Sequence, residues 1–342
     1  MRTLVVFRLS SMGDVLLTLP VVRGVLRANP DIQIRLVTST CFSPYFRGIQ
    51  RLEIISFDRH QPNGLIGLLR LFGKIRRGGS VDQVIDLHGV LRTYILDFLF
   101  IISIRPVRIV RKYRSQRRKI IKGREVPLMP HTTNRYLDVF RKAGFRVAME
   151  TRPMDHILGE IEERVRRSRS YHIGIAPMAK HRTKMWGEES VIQLLEILGK
   201  QEDFEIHLFG GRDERQALQR MARQGQRVEA GLHNPIDELR IIASMDVFVS
   251  MDSANMHLAS LAGVPTLSIW GATHPEMGFS PLNQPPDYLI QASCDEVPCR
   301  PCSVYGESPC HLRSDPMRCM KLITPDTVAE KILQIIAFHK IQ

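Results

Sequence analysis

The sequence predicts an α/β protein built from two doubly wound domains, each with a parallel sheet. The chain has 342 residues, 44% of them apolar, and it is longer than a domain with a single hydrophobic core usually is. Short runs rich in Val and Ile alternate with longer stretches of helical period, as expected of repeated β-α units. A charged, poorly periodic stretch near residues 150–170 separates two such series. We therefore expect two domains.

The first series predicts five strands and the second predicts four. They are LVVFR, QIRLVT, EIISF, QVIDLHG and PVRIVR, followed by HIGIAP, FEIHLFGG, VFVSMD and PTLSIWG. Helices are expected between them, including 187–200 and 213–224. The final TPDTVAEKILQIIAFHKI has a helix-start signal and apolar residues three and four apart, which predict an amphipathic helix. The expected domains are 1–160 and 161–325, with a helix at 326–342 that packs back on the N-terminal domain.

Basic charge is concentrated in the first half of the chain. Residues 1–150 hold 27 Lys and Arg against 10 Asp and Glu, a net charge of +17, whereas the remainder carries −4. This asymmetry predicts an anionic partner for the first half: nucleic acid, a phosphorylated substrate or a membrane surface. No apolar run is long enough to span a bilayer and no secretory signal pattern begins the chain, so we expect a cytoplasmic protein.

The stretch RLSSMGDVLLTLP, residues 8–20, places Asp14 after the first strand and beside the next helix. Open α/β sheets bind their ligands at this position. Gly13 lets the backbone pass close to a ligand, and a carboxylate here suits a general base; the alternative is that Asp14 caps the helix. Neither a G-x-G-x-x-G nor a P-loop motif occurs, which argues against dinucleotide oxidoreductases and P-loop NTPases.

The stretch VFVSMDSANMHLASLAGVPTLSIWG, residues 247–271, predicts a strand, a polar turn, a short helix and another strand. A helix that starts near Asn255 or Met256 would offer unpaired N–H groups to a diphosphate. Ser253 is a candidate cap for this helix. His257 is either a donor to a phosphate or sugar oxygen or a core histidine.

Two further loops follow predicted strands. APMAKHRTKMW carries four basic or imidazole side chains, with Lys184 among them, and cations at a strand end suit phosphate oxygens. The alternative is a solvated basic loop. In LFGGRDER, Asp213 or Glu214 is placed either to accept from ribose hydroxyls or to cap the helix after Gly211.

Together these segments resemble glycosyltransferase family 9, whose members include the lipopolysaccharide heptosyltransferases. The resemblance runs from residue 2 to about residue 335 and rests on RLSSMGDVLLTLPVVRGV, KMW, FGGRDE and MDSANMHLASLAGVPTLSIWGATHP, the last being the most specific. It implies the GT-B architecture, with two Rossmann-like domains facing a central cleft. The acceptor would bind mainly the first domain and the nucleotide sugar mainly the second.

The resemblance also implies an inverting, metal-independent transfer that requires no cofactor. Heptose or a related sugar would pass from a nucleotide-sugar donor, expected to be ADP-heptose, to a lipopolysaccharide core acceptor. One alternative keeps this reaction with another donor sugar or cell-envelope acceptor. A second alternative is a non-catalytic protein on a transferase scaffold that binds nucleic acid or a membrane.

Residue roles follow from the same resemblance. Asp14 would be the general base, and Lys184 would stabilise the leaving diphosphate. The expected donor-binding residues are Lys184, Asp213, Glu214, Asp252, Ser253, Ala254, Asn255, Met256 and His257. The expected acceptor-binding residues are Ser11, Gly13, Arg111, Lys112, Arg114, Arg117 and Arg118.

Two departures from the family pattern affect the donor loops. Asp252-Ser253-Ala254-Asn255 stands where the family usually shows Asp-Thr/Ser-Gly-Pro. Because a positive φ is energetically unfavourable for Ala254, we expect this turn to differ in detail from the usual turn of the family. Met178-Ala179 stands where hydroxyl residues often contact phosphate in heptosyltransferases.

The segment 105–124 holds ten Lys and Arg and no acid. We expect it to contact a phosphorylated glycolipid or the anionic inner membrane from its cytoplasmic side. Nucleic acid is not expected, because basic helices with interleaved aromatics, zinc-finger spacing and RNA-binding fingerprints do not occur. The preceding YILDFLFIISI is too short to span a membrane and is expected to be a buried helix, with a membrane-dipping element as the alternative.

Five of the six cysteines lie between residues 294 and 319. In a reducing compartment this clustering suggests a metal clip more than disulfides. The corresponding hypothesis is a structural zinc bound by Cys299, Cys302, Cys310 and Cys319. Reduced thiols or an occasional disulfide are the alternative, favoured because the spacing is not that of a common zinc module.

Overall fold

The structure is a computed structural model that describes residues 1–58, 64–123, 128–159 and 170–341. The chain divides into two compact units. Unit 1 comprises Met1–Tyr113 and His131–Ile157, and unit 2 comprises Arg114–Pro130 and Leu158–Gln342. The expected domain boundary at residues 160 and 161 lies outside the described residues. The segment 114–130, expected in the N-terminal domain, belongs to unit 2.

Unit 1 contains a five-stranded parallel sheet with the order β3-β2-β1-β4-β5. Its strands are β1 (Arg2–Phe7), β2 (Ile32–Ser39), β3 (Leu52–Phe57), β4 (Gln83–Asp86) and β5 (Val107–Ile109). All five predicted strands are confirmed. The order reverses between β1 and β4, so the loops that follow these two strands diverge and leave room for a ligand.

Helices connect the strands of unit 1, and apolar side chains of α3 and α4 pack on the sheet around Phe7 and Val84. The helices in this part of the chain are α1 (Met12–Leu16), α2 (Thr18–Ala28), α3 (Leu65–Arg77), α4 (Leu91–Ile102), α5 (Arg114–Ile121), α6 (Thr132–Lys142) and α7 (Asp155–Leu158). Of these, α5 belongs to unit 2, and α7 spans the boundary between the units.

The helix α4 is only half buried, although the sequence predicts a buried helix. Leu96 and Phe100 are fully buried, whereas Phe98 is 62% exposed and Ile102 is 60% exposed. The difference arises because one stripe of α4 packs on the sheet and α3, which leaves the opposite apolar stripe uncovered within unit 1.

Unit 2 contains a six-stranded parallel sheet with the order β11-β10-β9-β6-β7-β8. Its strands are β6 (Tyr171–Ala176), β7 (Phe204–Leu208), β8 (Arg227–Val228), β9 (Val247–Met251), β10 (Thr266–Trp270) and β11 (Leu289–Gln291). The four predicted strands are confirmed, and β8 and β11 are additional short edge strands. The order reverses between β6 and β9.

The C-terminal helix packs against another helix within unit 2, and its expected packing on the N-terminal domain stays a prediction. The helices here are α8 (Glu188–Leu198), α9 (Arg215–Met221), α10 (Pro235–Ala243), α11 (Ala254–Leu261), α12 (Arg318–Lys321) and α13 (Pro325–Ile341). Val328, Ile332 and Ile335 of α13 share a buried core with Leu194 and Leu195 of α8. Its apolar stripe is therefore covered by unit 2. None of the helices in the described ranges is long and apolar enough to cross a membrane.

Candidate active-site residues at two strand switch points

The first group of candidate residues lies where β1 and β4 end side by side. Phe7 pairs with Asp86 in the sheet, Arg8 follows β1, and His88 follows β4. Arg8 Nη1 donates to the Leu87 carbonyl at 2.8 Å, which ties the two strand ends together. The buried guanidinium therefore places a fixed positive charge at the switch point of unit 1.

Asp14 lies in the first turn of α1 and forms an ion pair with Arg8. Ser11 Oγ donates to Asp14 Oδ2 at 3.0 Å. The N-cap residue of α1 is Ser11, so Asp14 is not the helix cap. The Asp14 side chain is 20% exposed, whereas that of Arg8 is 9% exposed. The arrangement orients a negative carboxylate that solvent still reaches, as a general base requires.

His88 also belongs to this group, although it is not among the residues that the sequence predicts for the site. Its Nε2 lies 3.5 Å from Ser10 Oγ, and its side chain is buried. Burial, and then the charges of Arg8 and Lys112, lower the pKa of His88 to about 3, so the ring is neutral at physiological pH. The D-x-H-G pattern at the end of a predicted strand was the available signal.

The buried Asp86 carboxylate supports the loop that carries His88, and a second buried carboxyl group lies near it. Asp86 accepts from the backbone N–H groups of His88 at 2.7 Å and Gly89 at 2.9 Å. Asp97 on α4 is also buried, and its burial, together with the nearby Asp86, raises the pKa of Asp97 to about 9. Asp97 is therefore protonated at neutral pH, which avoids two adjacent buried charges.

Only some of the expected acceptor residues lie in unit 1. Ser11 and Gly13 are in and before α1, the Arg111 guanidinium lies 4.7 Å from the centre of the Tyr113 ring, and the Lys112 side chain lies beside Gly89. These residues border the β1 and β4 ends or follow β5 in the same unit.

The rest of the basic segment belongs to unit 2, contrary to its expected place in the N-terminal domain. Arg114 and Arg118 are exposed on α5, while Arg124 lies outside the described residues. Arg117 is buried, donates to the Tyr305 hydroxyl, and lies over the Phe279 and Tyr305 rings. Its guanidinium is therefore held by aromatic partners, and its expected contact with the acceptor stays a prediction.

The second group lies where β6 and β9 end side by side in unit 2. Lys184 Nζ is 2.7 Å from Asp252 Oδ2, and the two side chains are 14% and 9% exposed. Thr273 Oγ1 donates to the same Asp252 oxygen at 2.8 Å. The predicted phosphate-binding cation is therefore positioned by a carboxylate from the neighbouring strand end.

Residues of the cysteine-rich segment hold the Lys184 loop in place. Thr183 Oγ1 donates to the Gly306 carbonyl at 2.5 Å. Arg300 is buried and donates through Nε to the Gly271 carbonyl at 2.6 Å and through Nη2 to the Thr273 carbonyl at 3.1 Å. Arg300 therefore fixes the loop that brings the Thr273 hydroxyl to Asp252.

The turn before α11 is unstrained. Ser253 is the N-cap residue, but its Oγ contacts Ser250 Oγ at 3.1 Å and makes no capping hydrogen bond. Ala254 is the first residue of α11 and does not have a positive φ, so the turn needs no glycine at this position. Asn255 is half buried, and Met256 and His257 are buried. The first backbone N–H groups of α11 thus follow Asp252 directly.

Glu214 has the capping role that the sequence left open, because the Gly211 N–H donates to Glu214 Oε2 at 2.7 Å. Asp213 is exposed in the same short 3-10 turn. A pocket of about 1320 Å³ lies nearby in unit 2 and is lined in part by Arg182, Trp186 and Cys310. Neither Lys184 nor Asp252 lines it, so this pocket does not mark the expected donor site.

The four cysteines of the zinc hypothesis are free thiols. In the described part of the chain, no three of the sulfur atoms of Cys299, Cys302, Cys310 and Cys319 lie within 4.8 Å of one another. Burial, and then the neighbouring thiols, raise the pKa of Cys302 to about 11. The zinc hypothesis at these cysteines stays a prediction.

Two Rossmann-like units, each with candidate residues at its strand switch point, define a protein of the GT-B class. A family model described as glycosyltransferase family 9 (heptosyltransferase) matches residues 69–308. The chain belongs to this family and is a glycosyltransferase. No curated protein sequence matches it.

Solved structures of similar fold cover nearly the whole chain. A glycosyltransferase family 9 protein from Veillonella parvula has a TM-score of 0.74 at 17% identity, covering 98% of this chain and 97% of that one. Escherichia coli ADP-heptose lipopolysaccharide heptosyltransferase II has a TM-score of 0.68 at 16% identity, covering 99% and 100%. The heptosyltransferase WaaC from E. coli, solved with ADP, has a TM-score of 0.69 at 17% identity, covering 97% and 99%. These likenesses confirm the fold.

Proposed function

We propose that this protein transfers heptose, or a related sugar, from a nucleotide-sugar donor to a lipopolysaccharide core acceptor, with inversion and without a catalytic metal. The observation that carries the proposal is the Lys184–Asp252 pair at the switch point of unit 2, beside the start of α11. Similar proteins are described as heptosyltransferases, and one was solved with ADP-2-deoxy-2-fluoro heptose. ADP-heptose is therefore the first donor to test.

The proposed chemistry is a single displacement at the anomeric carbon. The acceptor oxygen bonds to that carbon while the bond to the diphosphate oxygen breaks, and the electron pair leaves with the nucleoside diphosphate. The hydroxyl proton passes to the Asp14 carboxylate, which Arg8 and Ser11 orient. Attack opposite the leaving group inverts the anomeric configuration.

Stabilisation of the leaving group is assigned to unit 2. The Lys184 ammonium supplies a localised positive charge, and the first N–H groups of α11 supply donors beside it. Fixed donors of this kind often provide the largest catalytic contribution. In this proposal they replace a divalent cation.

The reaction is tested by nucleotide release from ADP-heptose and from UDP- and GDP-sugars, with and without a deacylated lipopolysaccharide inner-core acceptor. We expect acceptor-dependent release that chelators do not reduce, and an inverted linkage by NMR. Asp14→Asn should lower kcat about 10²- to 10⁴-fold with donor affinity retained. Asp138→Asn, an exposed change on α6, is the matched control. Near-normal turnover in Asp14→Asn would contradict the base assignment.

The outcome of the donor panel also decides between the alternatives. Release from another nucleotide sugar would retain the reaction and change the donor. If neither turnover nor nucleotide-sugar binding occurs, the non-catalytic alternative becomes the better explanation.

We further propose that unit 1 binds the anionic cytoplasmic face of the inner membrane. Phe72 of α3 lies edge-on to Phe100 of α4 at 4.9 Å, so the two helices pack side by side. Their uncovered apolar side chains include Leu65, Ile66 and Phe98, each more than 60% exposed. Exposed cations of the same region are Arg70, Lys74, Arg76, Arg77, Arg92 and Arg105. An apolar surface with basic neighbours suits anionic lipid.

Vesicle sedimentation tests the membrane proposal. The protein should sediment with vesicles that contain phosphatidylglycerol and not with neutral phosphatidylcholine vesicles. The exposed substitutions Phe98→Ser and Ile102→Ser should reduce sedimentation several-fold. Leu232→Ser, at a side chain that is 57% exposed in unit 2, is the control. Equal sedimentation of all variants would contradict this surface assignment.

A further inference from the structure

A second cluster of ionisable side chains lies on the sheet of unit 2, away from the strand ends that carry Lys184 and Asp252. In the sheet register, His172 of β6 pairs with Glu205 of β7, and His207 of β7 pairs with Arg227 of β8. Side chains of paired residues, and of alternate residues along a strand, share one face of a sheet. These four side chains therefore lie on the same face.

The potential ligand atoms are close together. His172 Nδ1 lies 3.3 Å from His207 Nε2 and 3.9 Å from Glu205 Oε2, and the three groups can place ligand atoms within 4.8 Å of one another. A zinc ion with bonds of about 2.0–2.2 Å in a tetrahedral site separates its ligand atoms by roughly 3.3–3.5 Å. The observed spacing needs only small side-chain movements to match this geometry.

A second carboxylate orients one of the imidazoles. Glu229 Oε1 lies 2.9 Å from His207 Nδ1, while Glu229 Oε2 lies 2.8 Å from His233 Nε2. A neutral His207 that donates from Nδ1 to Glu229 has a lone pair on Nε2, the atom that faces His172. Carboxylates commonly orient metal-binding histidines in this way.

We propose that His172, His207 and Glu205 bind a divalent transition-metal ion, with zinc the best match to two imidazoles and one carboxylate. The cluster is accessible to an ion, because the His172 and Glu205 side chains are 26% and 33% exposed. His172 and Glu205 are each the second residue of their strand. The ion joins β6 to β7 near their amino ends, so its role is structural and independent of the proposed transfer reaction.

Arg227 should weaken metal binding, so its substitution tests the proposed metal site. Its guanidinium lies 3.0 Å from Glu205 Oε2, and its side chain is 63% exposed. The ion must compete with this guanidinium for the carboxylate. Arg227→Gln should therefore tighten metal binding several-fold, whereas loss of an imidazole ligand should weaken it.

The experiment is a titration of the chelator-treated full-length protein with Zn²⁺ alone, followed by calorimetry, and with Co²⁺, followed by visible absorption. Co²⁺ absorption distinguishes nitrogen and oxygen ligands from thiolates, which give an additional sulfur-to-metal band. This separates the cluster from the cysteines of the zinc hypothesis. We expect one equivalent of Co²⁺ with a thiolate-free spectrum, and a higher unfolding temperature with Zn²⁺.

His172→Gln and His207→Gln should each weaken the thiolate-free site at least 100-fold, and Glu229→Gln about 10- to 100-fold. His172 is partly exposed, so its variant remains informative if the buried His207 variant fails to fold. His233→Gln is the matched control and should change affinity only a few-fold. A spectrum with thiolate bands alone, or equal affinity in wild type and His172→Gln, would overturn the proposal.

Discussion

The ammonium group of Lys184 lies 2.7 Å from the carboxylate of Asp252, and both side chains are largely buried. Lys184 follows β6 and Asp252 follows β9, two strands that are adjacent in the sheet although they are distant in sequence. The pair therefore bridges the switch point of unit 2. A cation in this position is already desolvated in part, so it interacts strongly with an incoming phosphate.

Lys184→Met should reduce both activity and stability, for separable reasons. Turnover should fall about 100-fold because the leaving group loses its cation. Stability should fall by about 3–5 kcal/mol because Asp252 remains as a buried, uncompensated charge. The double variant Lys184→Met/Asp252→Asn should regain stability while activity stays low. Urea unfolding and nucleotide release check these outcomes, and recovery of activity in the double variant would contradict the role of Lys184.

Gly306 should be required for the position of Lys184. Its φ is +83°, and a Cβ atom added to it would lie 2.8 Å from Lys184 Cγ and Cε. Gly225 is a matched control, because its φ is +84° and nothing lies within 4 Å of an added Cβ. Gly225→Ala should cost about 1 kcal/mol from backbone strain alone. Gly306→Ala should cost more and should lower kcat at least 10-fold, and equal kcat in the two variants would contradict this requirement.

The apolar runs predicted the strands of both sheets well, because each run lies within a few consecutive residues of the sequence. Nine predicted strands are confirmed, whereas the edge strands β8 and β11, of two and three residues, were not predicted. The packing of α13 could not be predicted in the same way. Its apolar stripe shows that it is buried, but the choice of α8 as its partner depends on the three-dimensional arrangement.

The candidate site was predictable where motifs follow strand ends. The sequence predicts Asp14 and Lys184 as site residues for this reason, and their roles stay predictions. The burial of Arg117 could not be predicted, because its aromatic partners Phe279 and Tyr305 come from distant parts of the chain. A run of cations in a sequence gives no information about such partners.

Asp97 should make unit 1 less stable as the pH rises. The pKa of Asp97 is raised to about 9 by burial and by Asp86, whereas an unfolded Asp titrates near 3.9. The folded protein therefore retains a proton that the unfolded chain releases, so stability falls between about pH 4 and pH 9. Asp97→Asn does not titrate and should be more stable than wild type at pH 8 by more than about 1 kcal/mol.

Urea unfolding followed by circular dichroism at pH 5 and pH 8 checks this expectation. Asp138→Asn, a change at an exposed carboxylate on α6 of the same unit, controls for the loss of one acid. If Asp97→Asn is destabilised equally at both pH values, the carboxyl group is not protonated in the folded protein.

His274 should make unit 2 less stable as the pH falls, which is the opposite of the pH dependence expected from Asp97. Burial, and then the Arg300 charge, lower the pKa of His274 to about 4, while an unfolded His titrates near 6.5. The unfolded chain therefore binds a proton that the folded protein does not bind, and stability is lost as the pH falls from about 6.5 to 4. His274→Asn keeps a side-chain acceptor for the Glu276 N–H and does not titrate in this range.

Between pH 7.5 and pH 5, wild type should lose up to about 2 kcal/mol more stability than His274→Asn. The chain has two tryptophans, Trp186 and Trp270, and both are buried in unit 2, so their fluorescence reports the unfolding of this unit. Other titrating groups are common to both proteins and cancel in the comparison. Equal losses would mean that His274 binds a proton in the folded state, and the loop that Arg300 holds would then have to accommodate two adjacent positive charges.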